Sequence, residues 1–201
     1  MLYPAIYRRF TMQAVRVIFD PDIIRLLADL ARRQLIRYIS KKPMTQTELS
    51  VATSLTEPSV SHHLQILLKA GLIKIQRVEA GARGAKKKYY EPTALLFVED
   101  WNSTPPDQRR YFIHAHLERL RGMLSVFNLT HKDCTFTTGE LEELAEAVAS
   151  SVSAVAELHK GDEYTGDREQ IMISIYSETL ERIIREERWK GFFEPLIASN
   201  S

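Results

Sequence analysis

Cysteine is almost missing: Cys134 stands alone in 201 residues. A single thiol excludes an intrachain disulfide framework, and a reducing, cytoplasmic setting is expected. No run of about 18 apolar residues occurs, so no membrane span is expected. The opening MLYPAIYRRFTMQAV puts arginines where a signal peptide keeps its apolar segment, so no secretory leader is expected. A glycine-rich phosphate loop and a nucleophile elbow are both lacking. The glycines of GARGA (81–85 with Ala80 before them) lie between extended segments rather than at a helix start, where a phosphate cradle needs them. The carboxylates Glu140, Glu142, Glu143 and Glu146 read as the solvated face of a helix. No catalytic residue, no cofactor and no enzymatic activity are expected. Internal repeats and low-complexity tracts are absent as well.

Net charge is also nearly absent, at +1, but its distribution is uneven. Residues 1–19 carry three arginines and no acid, and residues 20–92 carry 13 Lys/Arg against 7 Asp/Glu. Residues 93–201 carry 11 against 19. A basic front and an acidic back suggest that the front meets a polyanion. With 44% hydrophobic residues the chain can bury a sizeable core without staples.

Val15, Val17 and Ile18 suggest a short strand. Asp20 then caps a helix with Pro21 at its first position. Ile23, Leu26, Leu27, Leu30, Leu35, Ile36 and Ile39 form its apolar stripe, which Pro43 ends. Thr45 and Glu48 have capping-box spacing, with Leu49, Ala52 and Leu55 inward. Thr56 caps the next helix, whose buried face is Val60, Leu64, Leu67 and Leu68, and Gly71 ends it. LIKIQRVE alternates, a glycine turn follows, and KKKYYEPT resumes extended character: a hairpin with a basic tip. Farther on, residues 106–129 suggest an amphipathic helix burying Phe112, Ala115, Leu117, Leu120, Leu124 and Phe127. Residues 133–138 suggest a strand. A helix follows from Gly139, with Leu141, Leu144, Val148, Val152, Val155 and Leu158 on one side. Alternation of Ile171, Ile173 and Ile175 suggests another strand, and a last helix dissolves near Gly191.

Two short helices followed by a basic hairpin have the pattern of a winged helix-turn-helix, in which the first helix braces the second across duplex DNA. On a helical wheel with Val60 at zero, Leu64, Leu67 and Leu68 fall within about 80°, whereas His62, Gln65 and Lys69 fall between about 140° and 200°. Ser59 and Ser61 flank the outward face. His62 is therefore expected toward DNA. His63, beside the apolar edge, is expected to be half-buried and to donate one hydrogen bond. Neighbours on a helix cannot both turn to one ion, so the pair is not a metal site. Lys86, Lys87 and Lys88 offer phosphate contacts, two of them on the DNA side by strand alternation, and Arg83 suits a minor groove. His131, Asp133 and Cys134 are the only metal-ligand candidates, weak ones, and a loop leading into a strand accounts for them.

The stretch MTQTELSVATSLTEPSVSHHLQILLKAGLIKIQRVEAGARGAKKKYYEPT resembles the winged helix-turn-helix of ArsR-type transcriptional regulators, over about residues 15–95. SVSHHLQILLKAGLI followed by a wing ending in KYY carries the likeness. LLADLARRQLIRYI is similar to the family's first helix, although Leu30 stands where a proline is usual. The resemblance implies a homodimeric repressor on a palindromic operator, with Ser59, Ser61, His62 and Gln65 in the major groove and Arg83 at the wing tip. The family's metal-sensing members carry a Cys-x-Cys site in the helix that precedes the recognition helix, and TELSVATS has no cysteine.

The expected fold is mostly α with small β: a winged helix-turn-helix DNA-binding domain at 1–95 and a C-terminal helical α+β region at 96–201. DNA contacts are expected from Thr56, Ser59, Ser61, His62, Gln65, Lys69, Arg83, Lys86, Lys87 and Lys88. The partners are double-stranded DNA and a second copy of the chain. The 107–127 and 139–160 helices serve as a dimer interface or enclose a small apolar effector; Tyr111, Phe112, Phe127, Trp189, Phe192 and Phe193 suit either role or plain core. A winged helix used for protein contact is the other reading.

Overall fold

The computed structural model describes residues 13–81, 86–130, 136–161 and 168–190. β1 (Gln13–Ile18) leads through Asp20 into α1 (Pro21–Leu27). The Asp20 carboxylate accepts the backbone N–H groups of Asp22 and Ile23, and Pro21 takes a position where a missing N–H costs nothing. The single helix expected from 20 to 40 is in fact two. α1 closes at Ala28, and α2 (Leu30–Lys41) starts afresh from Asp29, which accepts the Arg32 N–H at 2.9 Å. Arg32 Nε donates to the Leu26 carbonyl at 2.6 Å, so one side chain serves both helix ends. Leu30, expected inside, is 74% exposed at the first position of α2. That position suits a proline.

α3 (Gln46–Thr53) begins with the expected capping box: Glu48 N–H donates to Thr45 Oγ1, and Glu48 Oε2 accepts the Thr45 N–H at 2.7 Å. Ser54, at φ 58°, turns the chain into α4 (Glu57–Lys69), capped by Thr56. Gly71 ends this helix at φ 64°, where a side chain would be strained. β2 (Ile73–Ala80) and β3 (Lys86–Pro92) pair antiparallel, with a bulge between Ile75 and Arg77. β4 (Ala94–Glu99) follows at once and pairs parallel with β1, placing Val15 opposite Leu96 and Val17 opposite Val98. Then come α5 (Pro106–Thr130), α6 (Thr138–Leu158) and α7 (Arg168–Ile184).

The fold is mostly α, with a small hairpin wing and a helical C-terminal region. Two apolar cores organise it. The first joins Ile24, Leu35, Ile39, Leu49, Leu64, Leu67 and Leu72 of the winged-helix elements, and Phe112 of α5 enters it. The second joins Val15 and Val17 of β1, Leu96 and Val98 of β4, and the inner faces of α5, α6 and α7. The winged-helix elements are thus set in the chain between two paired strands of the other core. A division at 95/96 falls inside β4. Arg16 Nη1 and Thr93 Oγ1 both donate to the Gly71 carbonyl, at 2.8 and 2.9 Å, pinning the end of α4 to the strand pair.

The back half departs from expectation at its strands. Residues 168–184 are helix: Ile171, Ile175, Thr179 and Ile183 are buried at four-residue spacing, while Ile173 is 53% exposed. The alternation of isoleucines is real in sequence, but the helical repeat is what the core uses. Of the strand expected at 133–138, residues 133–135 lie outside the described residues. Phe136 and Thr137 are not strand, and Thr137 caps α6 in a second capping box with Glu140. α6 buries Leu144, Val148, Val152 and Val155 as expected, but Leu158 is 62% exposed. In α5, Phe112, Leu117, Leu120 and Leu124 are buried and Ala115 is half-buried. No helix among the described residues is long and apolar enough to cross a membrane.

Candidate nucleic-acid interface

α4 buries Val60, Leu64 and Leu67, and this fixes which residues face outward. His62, Gln65 and Lys69 are exposed, Ser59 and Ser61 are half-buried beside them, and Thr56 is exposed while capping the helix. The wing stands clear of the body. Only Ile73 of β2 is buried, and Ile75 and Val78 remain 37% and 51% exposed, so the alternation of β2 does not reflect a covered face. Lys86, Lys87 and Lys88 are all exposed. The bulge at Gln76 increases the local twist of the hairpin, whose base is bridged to Met44 through Tyr90.

Between α4, the start of α3 and the wing lies an open cleft of about 660 Å³. Ser61 and Gln65 line it from α4, and Lys86, Lys87 and Lys88 line it from β3. Thr56, Ser59, His62 and Lys69 are not part of its wall. Arg83, and the metal candidates His131, Asp133 and Cys134, lie outside the described residues. Among the described residues no three His, Cys, Asp or Glu side chains gather as a metal site.

Acid also reaches the cleft, through Glu48 and Glu57. The Glu48 carboxylate is engaged by its cap: the Thr45 N–H and hydroxyl hold it below the usual carboxylate range, helped by Lys42 and Lys87. Gln46 and Thr47 line the cleft too. They follow the Thr45 cap, where a helix presents its positive end. On the wing, the Arg77 guanidinium lies 3.7 Å over the Tyr89 ring and its Nε donates to Glu79 at 2.8 Å. That pairing sits across the bulged register and is not visible from spacing alone.

The two adjacent histidines differ in environment. Their rings meet at 5.7 Å and 61°. His63 is half-buried, and burial pushes it below the ordinary histidine value. Its Nδ1 is closed to solvent and has no hydrogen-bond partner among the described residues, so the bond expected of it is not made there.

Residues 29–74 match the family model described as bacterial regulatory protein, arsR family. No curated protein matches the chain. One similar solved structure is the adhesin competence repressor AdcR from Streptococcus pyogenes, at 18% identity, covering 66% of this chain and 81% of that one. Its TM-score is 0.31, and at that level of superposition it carries no argument. The family match runs from the Asp29 cap through α4 into the first residues of β2. Residues 29–74 are thus similar to the helix-turn-helix of the bacterial arsR-family regulators, and this match supports a DNA-binding transcriptional regulator.

Proposed function

We propose that this chain is a homodimeric repressor that binds a palindromic operator. In this reading α4 enters the major groove, with Ser59, Ser61, His62 and Gln65 toward base edges and Thr56 and Lys69 toward phosphates. Lys86, Lys87 and Lys88 hold the backbone from the wing, and Arg83 reaches the neighbouring minor groove. The observation that carries the proposal is the cleft in which Ser61 and Gln65 of α4 face three exposed lysines across an open space. A duplex backbone suits such a space, because each neutralised phosphate releases condensed counterions.

Pairing two copies would set two α4 helices about 34 Å apart, one turn of DNA. The inner side of α6 is already filled within one chain, so dimer contacts fall to other faces; among the described residues Leu158 and Ile173 are large apolar side chains left outward there. The 1–95 and 96–201 division is kept as a division of labour, with DNA read by the first segment and pairing by the second.

Selection of binding sites from random duplexes, followed by titration at several salt concentrations, tests the reading. An enriched inverted repeat is expected, with affinity falling steeply as salt rises. Replacing Lys86, Lys87 and Lys88 with alanine should weaken binding to all sequences alike and flatten the salt slope by up to about three. No enriched sequence would favour a winged helix that contacts protein. A monomer at micromolar concentration would remove the dimer.

A further inference from the structure

A second cleft shares no lining residue with the one between α4 and the wing. It measures about 660 Å³ and opens between α2, α5 and α7. Arg33 and Arg37 line it from α2, Arg119 from α5 and Arg168 from α7, against one carboxylate, Glu169. Leu30, Tyr111 and Met172 add apolar wall.

The guanidinium groups of Arg33, Arg119 and Arg168 are held in place by the fold. Arg33 lies 5.7 Å from the centre of the Tyr111 ring and 5.8 Å from that of Phe112. Arg119 Nη1 donates to Tyr176 Oη at 2.6 Å, and Arg168 Nη1 pairs with Glu169 at 3.2 Å. Arg33 Nη1 is closed to solvent and has no hydrogen-bond partner among the described residues. Buried donors are rarely left unpaired, and one that is needs a partner. Burial, then the fields of Arg119, Arg33 and Arg37, push Arg168 below the ordinary arginine value in spite of Glu169. Glu99, which feels the field of Arg33, is already paired with His116.

We propose that Arg33, Arg37, Arg119 and Arg168 form a binding site for a small organic oxyanion whose apolar body rests on Leu30, Tyr111 and Met172. Guanidinium groups match carboxylate and phosphate oxygens in pairs, and arginine is the residue suited to such contacts in a partly dry cleft. The charge of this wall suits an anion rather than a purely apolar molecule. The proposal stands on this cleft alone and does not depend on the DNA reading.

The test uses the full chain in chloride buffer at fixed ionic strength, with sodium benzoate and sodium phosphate titrated separately by calorimetry and by thermal melting. Benzoate is expected to saturate one site per chain and to raise the melting temperature progressively with concentration. It should bind more tightly than phosphate. Arg33→Gln and Arg168→Gln should each weaken benzoate about tenfold or more, while Arg188→Gln, in a different cleft, leaves it unchanged. Should Arg168→Gln fail to fold by circular dichroism, the exposed Arg37→Gln serves in its place, with severalfold weakening expected. Saturation by neither probe overturns the proposal, as does benzoate binding that survives the Arg33 and Arg168 substitutions. Saturation by phosphate alone overturns the organic part of it.

Discussion

The winged-helix unit keeps most of its charged groups at the surface, while Glu91 is buried and paired to Lys74 at 3.2 Å. The C-terminal unit runs a polar chain through its interior. Arg119 donates to Tyr176 Oη, Tyr176 lies 2.5 Å from His116 Nδ1, and His116 Nε2 lies 3.4 Å from Glu99 Oε1. These hydrogen bonds are mutually consistent with one assignment: neutral His116 donates from Nε2 and accepts at Nδ1 from the tyrosine hydroxyl. Burial pushes His116 below the ordinary histidine value. Glu99 is held below the usual carboxylate range despite its burial, by the hydrogen bond from His116 and the field of Arg33. The comparison teaches that the reading head is stabilised by non-directional packing, whereas the body behind it is specified by hydrogen bonds among β4, α5 and α7. Phe112 joins the two, since α5 sends it into the winged-helix core while Leu117 and Leu120 enter the other.

Removing that joint is the most disruptive way to probe the comparison. Phe112→Ala is expected to destabilise the protein by about 3–5 kcal/mol. Chemical denaturation should show the loss in the winged-helix transition, read from Tyr38 and Tyr90, as well as in that of the C-terminal unit, read from Trp189. A loss confined to one unit would break the claim that the cores are coupled. Next in size is His116→Leu, which keeps the volume but leaves the Glu99 carboxylate buried without its donor. A cost of about 3 kcal/mol is expected. The same apolar swap at an exposed histidine, His114, should change stability by less than about 0.5 kcal/mol.

The polar chain also has a pH signature. His116 binds its proton less readily folded than unfolded, so below the ordinary histidine value the unfolded chain takes up more protons. Stability is therefore full above about pH 6.5 and falls as pH drops below it. His63 is shifted in the same direction and adds to the effect. Below the ordinary carboxylate range Glu99 adds a further loss of the same sign. His116→Gln should flatten the melting temperature between pH 7 and pH 5 relative to the parent. An unchanged slope would mean that His116 is not neutral in the folded state.

What was legible in the sequence follows the same division. The caps at Asp20, Thr45 and Thr56, the apolar stripe of α4 and the stop at Gly71 are local signals, and each is present in the fold. The break at Asp29 was missed because the apolar stripe continues across it; the deciding contacts are single hydrogen bonds from Asp29 and Arg32. α7 was misread because its isoleucines alternate, and only the packed core shows that Ile173 points outward. β4 went unassigned and its pairing with β1 was invisible, since 75 residues separate the ends Ile18 and Ala94 of two strands that depend on each other. His116, Glu99, Tyr176 and Arg119 come from three elements, so no spacing rule brings them together.

The smallest expected effects separate the two adjacent histidines. His62 is exposed on α4, where its ring meets that of His63, and His62→Ala should leave stability within about 0.5 kcal/mol. Operator affinity should fall by about 1–3 kcal/mol if the proposed base or phosphate contact is made. His63 should behave in the opposite way. Its Nδ1 is buried without a hydrogen bond among the described residues, and burial disfavours its charged form. Replacing an unsatisfied polar ring with an apolar side chain of similar size is neutral or stabilising. His63→Leu should therefore hold or raise the melting temperature and leave operator affinity unchanged. A loss of DNA binding in His63→Leu with the fold intact would mean that α4 presents a different face to the groove, and the assignment of Ser61, His62 and Gln65 would have to rotate with it.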